Sequence, residues 1–506
     1  MDFLGSILSG FQIALDPINL LYCFIGAILG TLIGVLPGIG PTATIALLLP
    51  ITFRLPPVSA IIMLAGIYYG AMYGGSTTSI LVNIPGEAAS VMTCLDGYAM
   101  AKKGRAGPAL GIAAFGSFIG GTASIIGLMV LATPFARFAL KFGPPEYFAI
   151  MCIGLTLVIY LAQKNIAKSL IMASFGLALG TIGYDIVTGD IRFGLGITEL
   201  SDGMGLVPLL MGLFGISEII VNLEKEIHRE LINSEVKAKN LLPTLRDWID
   251  SRMAIIRGTI LGFFLGILPG GGATIASFIS YGVEKRFSKH PEKFGTGVIE
   301  GVAGPETANN AASVGAFVPL FVLGIPANAV MALLLGCLVV HGLPPGPALI
   351  TQHPDLFWGT VASMYIGNIM CLAFNIPMIG IWVKLLRIPY KILFPLILLF
   401  CTIGVYSINN SVFDIFIMLF FGLLGYLFRK MEYGVPPLVL AFVLGPMMEN
   451  ALRQSLIISQ GSFWIFITRP ISSVCIFVIL AFTFISGIPK LKRLRERMVQ
   501  EKEEES

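Results

Sequence analysis

The stretch GAILGTLIGVLPGIG occupies residues 26–40, and a related stretch, GTILGFFLGILPGGG, occupies residues 258–272. Both carry glycine at every fourth position and then a Leu-Pro-Gly step inside an apolar run. Glycines at this spacing let two helices approach closely, whereas proline beside glycine breaks a helix. Two matched interruptions of this kind predict a broken membrane helix in each half of the chain, which is typical of secondary transporters.

The composition assigns the chain to the membrane proteins. Of its 506 residues, 56% are hydrophobic and only 12% are charged, and the mean hydropathy is +0.86. A soluble domain carries about a quarter charged residues. Because backbone groups in lipid must be satisfied within the protein, we expect an all-α polytopic fold. The apolar segments predict about 10–12 membrane elements, each spanning helix needing about 20 residues, and two re-entrant hairpins among them.

An internal repeat follows from the order of the motifs. Ile84-Pro85 matches Ile325-Pro326, and GPAL at 107–110 matches GPAL at 346–349, in the same order as the two glycine stretches. Self-similarity of this kind is the signature of a repeated architecture. A single long polar interruption separates the copies. We therefore expect a first membrane repeat at 1–222, a cytoplasmic linker at 223–257, a second membrane repeat at 258–489 and a charged cytoplasmic tail at 490–506.

The distribution of basic residues predicts that the two repeats are inverted. Lys285 and Arg286 follow the second glycine stretch, whereas only Arg54 follows the first; conversely, Lys102 and Lys103 precede the first GPAL. Loops rich in lysine and arginine face the cytoplasm. The swap between corresponding loops places the N-terminus outside and the linker and C-terminal tail in the cytoplasm.

The broken helices are the first candidate site. A break at membrane depth frees N–H groups that bind an anion and C=O groups that bind a coupling cation. The alternative is that these glycines only pack helices together. The candidate residues are Pro37, Gly38, Gly40 and Thr42 in the first copy, and Pro269, Gly270, Gly272 and Thr274 in the second.

Small polar side chains form the second candidate site. Hydroxyls and amides can bind a carboxylate without the desolvation cost of a fixed charge, although Ser and Thr also bond back to their own helix. The candidates are Ser76, Thr77, Thr78 and Asn83 in the first half, and Glu306, Asn309, Asn310 and Asn328 in the second. Ionisable residues in membrane segments are functional candidates. Glu306 is the strongest; Glu87, Asp96, Asp414 and Glu449 lie near segment ends, and for Asp96 and Asp414 we expect a solvated position.

Several function classes are excluded or disfavoured. The sequence contains no G-x-x-x-x-G-K-[ST] motif that would cradle ATP phosphates, so the energy must come from a gradient. The cysteines are scattered without CxxC spacing, and no basic stripe with aromatics points to a nucleic acid. We predict no enzyme activity, no catalytic residue, no cofactor and no metal site, apart from Na⁺ at the candidate elements.

Two rival functions remain at this point. One is a membrane assembly scaffold whose glycines pack helices and carry no solute. The other is an intramembrane aspartyl protease built on Asp185 and Asp190. Such an enzyme needs two facing carboxylates from different helices, which one short loop does not readily supply. The loop from Asp185 to Asp202 is better interpreted as a polar outer surface for docking.

Three stretches carry a resemblance to a known family. They are GTLIGVLPGIGPTATIALLLPITF at 30–53, GGSTTSILVNIPGEAAS at 74–90 and GFFLGILPGGGATIASFISYGVEKRFSK at 262–289. They resemble the large permease subunit, TctA, of bacterial tripartite tricarboxylate transporters, and the similarity extends over essentially the whole chain.

The resemblance implies a multi-pass protein of the bacterial inner membrane that works with a small four-helix membrane subunit and a periplasmic solute-binding protein, without an ATPase subunit. It also implies uptake of citrate or other carboxylates coupled to Na⁺ or H⁺, through an elevator-type movement. By that resemblance, 37–42, Asn83, 269–274 and Asn309 with Asn310 would line the moving site.

Overall fold

A computed structural model describes residues 3–36, 40–161, 165–185, 188–224, 242–270, 272–385 and 390–486. Over these residues the chain is built almost entirely of helices, with one short antiparallel hairpin. The expected all-α fold is therefore confirmed. The predicted tail at 490–506 lies outside the described residues.

The helices of the N-terminal half precede the predicted linker. They are α1 (Phe3–Ala14), α2 (Pro17–Val35), α3 (Gly40–Thr52), α4 (Pro57–Val82), α5 (Val91–Lys102), α6 (Ala106–Ala139), α7 (Pro144–Leu161), α8 (Ile166–Gly180), α9 (Leu206–Leu210) and α10 (Ser217–Glu224). The strands β1 (Gly183–Tyr184) and β2 (Ile191–Arg192) form the hairpin, 3₁₀ turns occupy Ala88–Ser90 and Thr198–Leu200, and a π-helical turn occupies Met211–Ile216.

The second half begins with a helix that starts inside the predicted linker. The elements are α11 (Leu245–Ile267), α12 (Gly272–Phe287), a 3₁₀ turn (Pro291–Lys293), α13 (Glu300–Gly315), α14 (Phe317–Leu323), α15 (Ala329–Val340), α16 (Pro347–Gln352), α17 (Pro354–Asn375), α18 (Ile379–Leu385), α19 (Tyr390–Asn409), α20 (Val412–Lys430), α21 (Pro436–Ile458), α22 (Ile465–Thr468) and α23 (Pro470–Ser486). Thr244 and Asp247 form a capping box that begins α11.

Six helical segments among the described residues are long and apolar enough to cross a membrane, which makes this a multi-pass membrane protein. Seven shorter apolar helices accompany them. The spanning candidates are Pro17–Val35, Pro57–Val82, Ala106–Ala139, Leu206–Glu224, Pro354–Asn375 and Val412–Lys430.

The chain divides into two compact units. Unit 1 comprises Met1–Arg137 and Gly205–Leu427, and unit 2 comprises Phe138–Met204 and Phe428–Ser506. Both units are therefore discontinuous in sequence, and the predicted linker lies inside the second segment of unit 1. Unit 1 contains both glycine stretches and all the candidate binding residues.

The first glycine stretch packs α2 directly on the backbone of α4. A Cβ added to Gly30 would collide with the carbonyl oxygen of Ile67, and Gly26 and Gly34 face carbonyls of α4 in the same way one turn earlier and later. No side chain larger than hydrogen fits at these three positions. This close approach explains why glycine recurs at every fourth residue of the helix.

The second glycine stretch packs α11 on α13 in the same manner. A Cβ on Gly262 would collide with the carbonyl oxygen of Ala308, and Gly258 and Gly266 face carbonyls of α13 one turn to either side. The matched motifs of the sequence thus make matched helix contacts. Their relative orientation in a membrane stays a prediction.

Both glycine stretches end in a helix break at the predicted place. Helix α2 ends at Val35 and α3 begins at Gly40, whereas α11 ends at Ile267 and α12 begins at Gly272. Gly40, Gly270 and Gly272 have φ values of +64°, +79° and +50°. Backbone in this left-handed region favours glycine, so these glycines turn the chain between two helices.

Unit 2 is organised around α21, which packs against α7 and α8, while α23 also packs against α7. Gly176 of α8 lies against the backbone carbonyl of Leu438 of α21. In the hairpin, Gly183 pairs with Arg192 and Tyr184 with Ile191.

Candidate functional site

The centre of unit 1 contains a buried carboxyl held by hydroxyls of two other helices. Glu306 lies on α13 and is 0% exposed. Ser76 of α4 donates a hydrogen bond to Oε2, and Thr93 of α5 donates one to Oε1. Each carboxylate oxygen is therefore bound by a neutral donor, and the two donors come from the opposite half of the chain.

A second carboxyl lies next to the first. Glu87 precedes the 3₁₀ turn Ala88–Ser90 and caps it, because its Oε2 accepts the N–H of Ala89 at 2.8 Å. Asn309, one helical turn before Ser313 on α13, donates from Nδ2 to Glu87 Oε1 at 3.2 Å. Glu87 is 8% exposed and interacts electrostatically with Glu306. The two carboxyls and Asn309 form what we call the acidic cluster, together with Ser76 and Thr93.

The side-chain oxygen of Asn309 is a hydrogen-bond acceptor without a donor. Its Oδ1 is buried and receives no hydrogen bond from any described residue. Buried amide oxygens are nearly always satisfied in folded proteins. This oxygen lies on the same amide group that contacts Glu87, so the unfilled acceptor belongs to the acidic cluster.

Asn328 forms a second polar contact between the halves. Its Oδ1 accepts the N–H of Met331 at 3.0 Å and so caps α15. Its Nδ2 donates to the hydroxyl oxygen of Tyr68 on α4 at 3.1 Å. Because the Tyr68 oxygen accepts this bond, its own proton is free for a further acceptor, and the structure gives it none among the described residues. We call Tyr68 with Asn328 the phenol–amide contact.

The remaining polar candidates have structural partners. Asn310 donates to Ser117 of α6 at 2.6 Å and to the backbone carbonyl oxygen of Glu306 at 3.3 Å, and it makes no hydrogen bond to either carboxyl among the described residues. Thr78 donates to the carbonyl oxygen of Val35 at 2.7 Å and ties α4 to the end of α2. Thr77 is buried beside Ser76 and lines a water-sized cavity of about 10 Å³ with it.

The helix breaks supply backbone groups to the same unit. A Cβ added at Gly40 or at Gly272 would meet no atom within 4 Å, so there is open space at the first residue of α3 and of α12. Gly270, which follows Pro269, donates its N–H to the carbonyl oxygen of Ala327 at 2.9 Å. This bond places the second break beside Asn328. Pro37 and Gly38 lie outside the described residues.

Thr42 and Thr274 sit in the first turns of α3 and α12, partly exposed. Asn83 ends α4 with a left-handed φ of +58° and is exposed. It is the C-cap of its helix, as Gly324 is of α14 with φ +72°. Asn83 therefore terminates a helix and does not join the acidic cluster.

The expectation that Asp96 is solvated is wrong. Asp96 is fully buried and accepts the N–H groups of Gly297 at 2.7 Å and Val298 at 2.8 Å, and the hydroxyl of Tyr281 at 2.9 Å. These hydrogen bonds hold the loop before α13 against α5. Asp414 is also buried, and Asn409 donates to it at 2.9 Å. Local polar partners replace water at both residues.

Among the described residues, Asp185 and Asp190 do not form the pair of facing acids that the aspartyl-protease interpretation needs. In unit 2, Arg453 binds both oxygens of Asp185 at 2.9 Å, and Asp190 meets Asp185 only through a backbone hydrogen bond of 2.8 Å. Arg192 extends the network to Glu449 at 2.7 Å, and this contact raises the pKa of the Arg192 guanidinium. Asp185 is thus held as an ion-paired carboxylate.

Sequence reasoning found Glu306 and Asn309 but gave little weight to Glu87 and missed Thr93 and Tyr68. Glu87 had a signal: it stands two residues after Pro85, as Asn328 stands two residues after Pro326. Thr93 and Tyr68 lie in helical stretches with nothing to distinguish them from structural residues, and only their contacts give them a role.

The comparisons with known proteins decide the family. Residues 20–440 match the model of the tripartite tricarboxylate transporter TctA family. The chain belongs to the TctA family. This is a transporter family, so the chain is a membrane subunit of a tripartite tricarboxylate transporter and not an enzyme.

Two proteins similar to this chain come from Agrobacterium vitis. An uncharacterized 52.8 kDa protein in the TAR-I ttuC' 3' region is 51% identical over 503 residues, which is 99% of this chain and 100% of the relative. An uncharacterized protein in the TAR-II ttuC' 3' region is 49% identical over 240 residues, which is 47% of this chain and 99% of the relative. No solved structure matches the chain.

Proposed function

We propose that this TctA-family chain is the permease of a binding-protein-dependent, cation-coupled secondary transporter that imports tricarboxylates or related carboxylates such as citrate. The observation that carries the proposal is the placement of both helix breaks in one unit with buried hydroxyls and amides. Open space adjoins the first residue of α3 and of α12, where N–H groups at the start of each helix can bind a carboxylate.

The transport cycle follows from these groups. The substrate carboxylates bind the N-terminal turns of α3 and α12, with Thr42, Thr274 and the phenol–amide contact supplying neutral donors. A coupling cation, Na⁺ or H⁺, binds in the same unit and offsets the negative charge that moves. Alternating access then results from an elevator-type movement of inverted repeats, with the N-terminus outside and the C-terminus in the cytoplasm of a bacterial inner-membrane protein.

The partners in this proposal are a small four-helix membrane subunit and a periplasmic solute-binding protein. Membership of a tripartite family implies partner subunits. The binding protein delivers the carboxylate from outside, and no ATPase subunit takes part.

Uptake by purified components tests the proposal. The chain and its small subunit are reconstituted in liposomes with an imposed Na⁺ or H⁺ gradient, the binding protein outside and labelled citrate or another tricarboxylate as the probe. We expect accumulation that requires both a gradient and the binding protein. The complex is also tested with a panel of tricarboxylates and dicarboxylates under either gradient. If it accumulates none of them, the proposal is contradicted and the rival interpretation as a membrane scaffold is favoured.

A further inference from the structure

The two carboxyls of the acidic cluster lack the cations that buried carboxylates need. Burying an ionised carboxylate costs several kcal/mol unless a cation or strong hydrogen bonds compensate it. Glu306 and Glu87 are both more than nine-tenths buried and interact electrostatically with each other. Two like charges in one buried cluster raise each other's free energy further.

All protein partners of these carboxyls are neutral. Glu306 receives the hydroxyls of Ser76 and Thr93, and Glu87 receives the Ala89 N–H and the Asn309 amide. Within the described part of the chain, neither carboxyl has a lysine, arginine or histidine partner. The described residues therefore supply no cation to offset negative charge on these carboxyls when they are ionised.

Two other buried carboxyls of unit 1 are paired with arginine. Glu284 is 2% exposed and binds Arg257, whose Nε donates to it at 2.8 Å. Asp247 binds Arg105. Asp96 and Asp414 are buried with neutral partners, so what distinguishes the acidic cluster is that two carboxyls share it with an unfilled amide oxygen.

The unfilled Asn309 Oδ1 is a second observation at the cluster, because a buried acceptor needs a hydrogen-bond donor or a cation as its partner. An amide oxygen with no donor, buried beside a carboxylate, is a ligand position for a cation. Carboxylate, hydroxyl and amide oxygens are the hard ligands that hard cations prefer. The cluster offers all three types, drawn from the 3₁₀ turn and from α4, α5 and α13.

We infer that the acidic cluster binds the monovalent cation that is transported with the substrate. Glu306 and Glu87 supply the negative charge, and Ser76, Thr93 and Asn309 Oδ1 complete the oxygen shell. The cation is Na⁺ held by these oxygens, or a proton held on a carboxyl oxygen. The inference rests on the proposed function, because it names the site of the coupling ion in that transporter.

Other titratable groups must be controlled in the test, since several lie on the elements packed against α13. They are Tyr68, Tyr69 and Tyr73 on α4, Cys94 and Asp96 on α5, Arg257 on α11, and Tyr281 and Glu284 on α12. A response assigned to the acidic cluster must therefore be lost when a carboxyl of the cluster is replaced and be kept when a neighbouring carboxyl is replaced.

Thermal stability of the purified full chain, without any carboxylate substrate, measures cation binding directly. A cation that binds only the folded state raises Tm. Wild type is melted in NaCl against choline chloride at equal ionic strength and constant pH, and then in choline chloride across a pH series. A rise with Na⁺ identifies sodium, and a rise only with falling pH identifies the proton. We expect Glu306→Gln and Glu87→Gln to lose this shift.

Glu300→Gln is the matched control, because Glu300 lies on the same helix and is partly exposed outside the acidic cluster; it should keep the wild-type shift. If a glutamine variant does not fold, Ser76→Ala and Thr93→Ala are measured, and both should need more cation for the same shift. The inference is overturned if the cluster variants respond like Glu300→Gln, or if wild type responds to neither cation. Since no substrate is present, citrate uptake succeeds or fails separately.

Discussion

Two of the polar contacts that join the halves of unit 1 correspond to each other. An offset of 241 residues, which separates Ile84 from Ile325, also separates Tyr68 from Asn309. The same offset separates Glu87 from Asn328. The Glu87–Asn309 contact is thus the counterpart of the Tyr68–Asn328 contact, with the roles of the halves exchanged.

The corresponding contacts differ in chemistry. In both, a residue that caps a short helix meets a side chain from the middle of a long glycine-packed helix. The Glu87 contact adds Glu306 and is acidic, whereas the phenol–amide contact carries no charge and has a free hydroxyl proton. Equivalent packing in the two halves thus places an acidic group at one contact and a neutral hydroxyl donor at the other, which under our proposal serve ligands of opposite charge.

Removing the amide of the acidic contact should have the largest effect. Asn309→Leu takes away the only described donor from the second half to Glu87, and leaves the carboxyl against an apolar side chain. We expect uptake to be abolished while the protein still reaches the membrane. Labelled citrate uptake and membrane quantity by immunoblot measure the two outcomes; unchanged transport would falsify the assignment.

Removing the hydroxyl of the neutral contact should have a smaller effect. Tyr68→Phe keeps the ring but deletes the proton that we assign to a substrate carboxylate. A hydrogen bond to a charged group contributes about 1.5–3 kcal/mol, so we expect KM for citrate to rise about 10- to 100-fold, with little change in the Na⁺ or H⁺ dependence. A change in cation dependence at constant KM would reverse the assignment of the two contacts.

Removing the cap of α15 should cost stability before it costs transport. Asn328→Ala loses both the cap and the bond to Tyr68, whereas Asn328→Ser keeps a capping oxygen. We expect the alanine variant to lower the free energy of unfolding by about 1 kcal/mol more than the serine variant. Thermal melts of both variants check this. Equal melts would show that the Asn328 cap carries no stability.

Substitutions at the two helix breaks should have the smallest effect on stability and uptake. Gly40→Ala and Gly272→Ala introduce a Cβ into open space but at positive φ, so strain of about 1–2 kcal/mol is the sole expected cost. Both variants should fold, with Tm lowered equally in the two copies. If a variant folds normally but loses uptake, the substrate binds so close to that break that even one added methyl group excludes it.

The helix architecture could be predicted because it follows from local rules. Glycine at every fourth residue permits only a close helix contact, and Leu-Pro-Gly permits only a break, so α2, α3, α11 and α12 were expected. The end of the linker was harder to predict from the sequence. Helix α11 begins at Leu245, inside the predicted linker, because its first turns are charged and only its later turns are apolar.

The buried polar network was less predictable, because hydrogen-bond partners far apart in sequence leave no local pattern. Asp96 looked like a solvated residue near a segment end, yet it binds backbone groups roughly 200 residues away. Thr93 and Tyr68 likewise resemble ordinary helix residues until the second half of the chain folds against them.

The amino-acid sequence by itself determined an apolar, all-helical, multi-pass protein with two matched glycine stretches and two helix breaks, because lipid demands helices and glycine with proline sets where they meet and stop. Only the tertiary structure decided which polar residues meet: it brought Glu87 to Asn309 and Glu306, and Tyr68 to Asn328. The physical reason is that the charge balance of a buried site depends on every helix that packs around it.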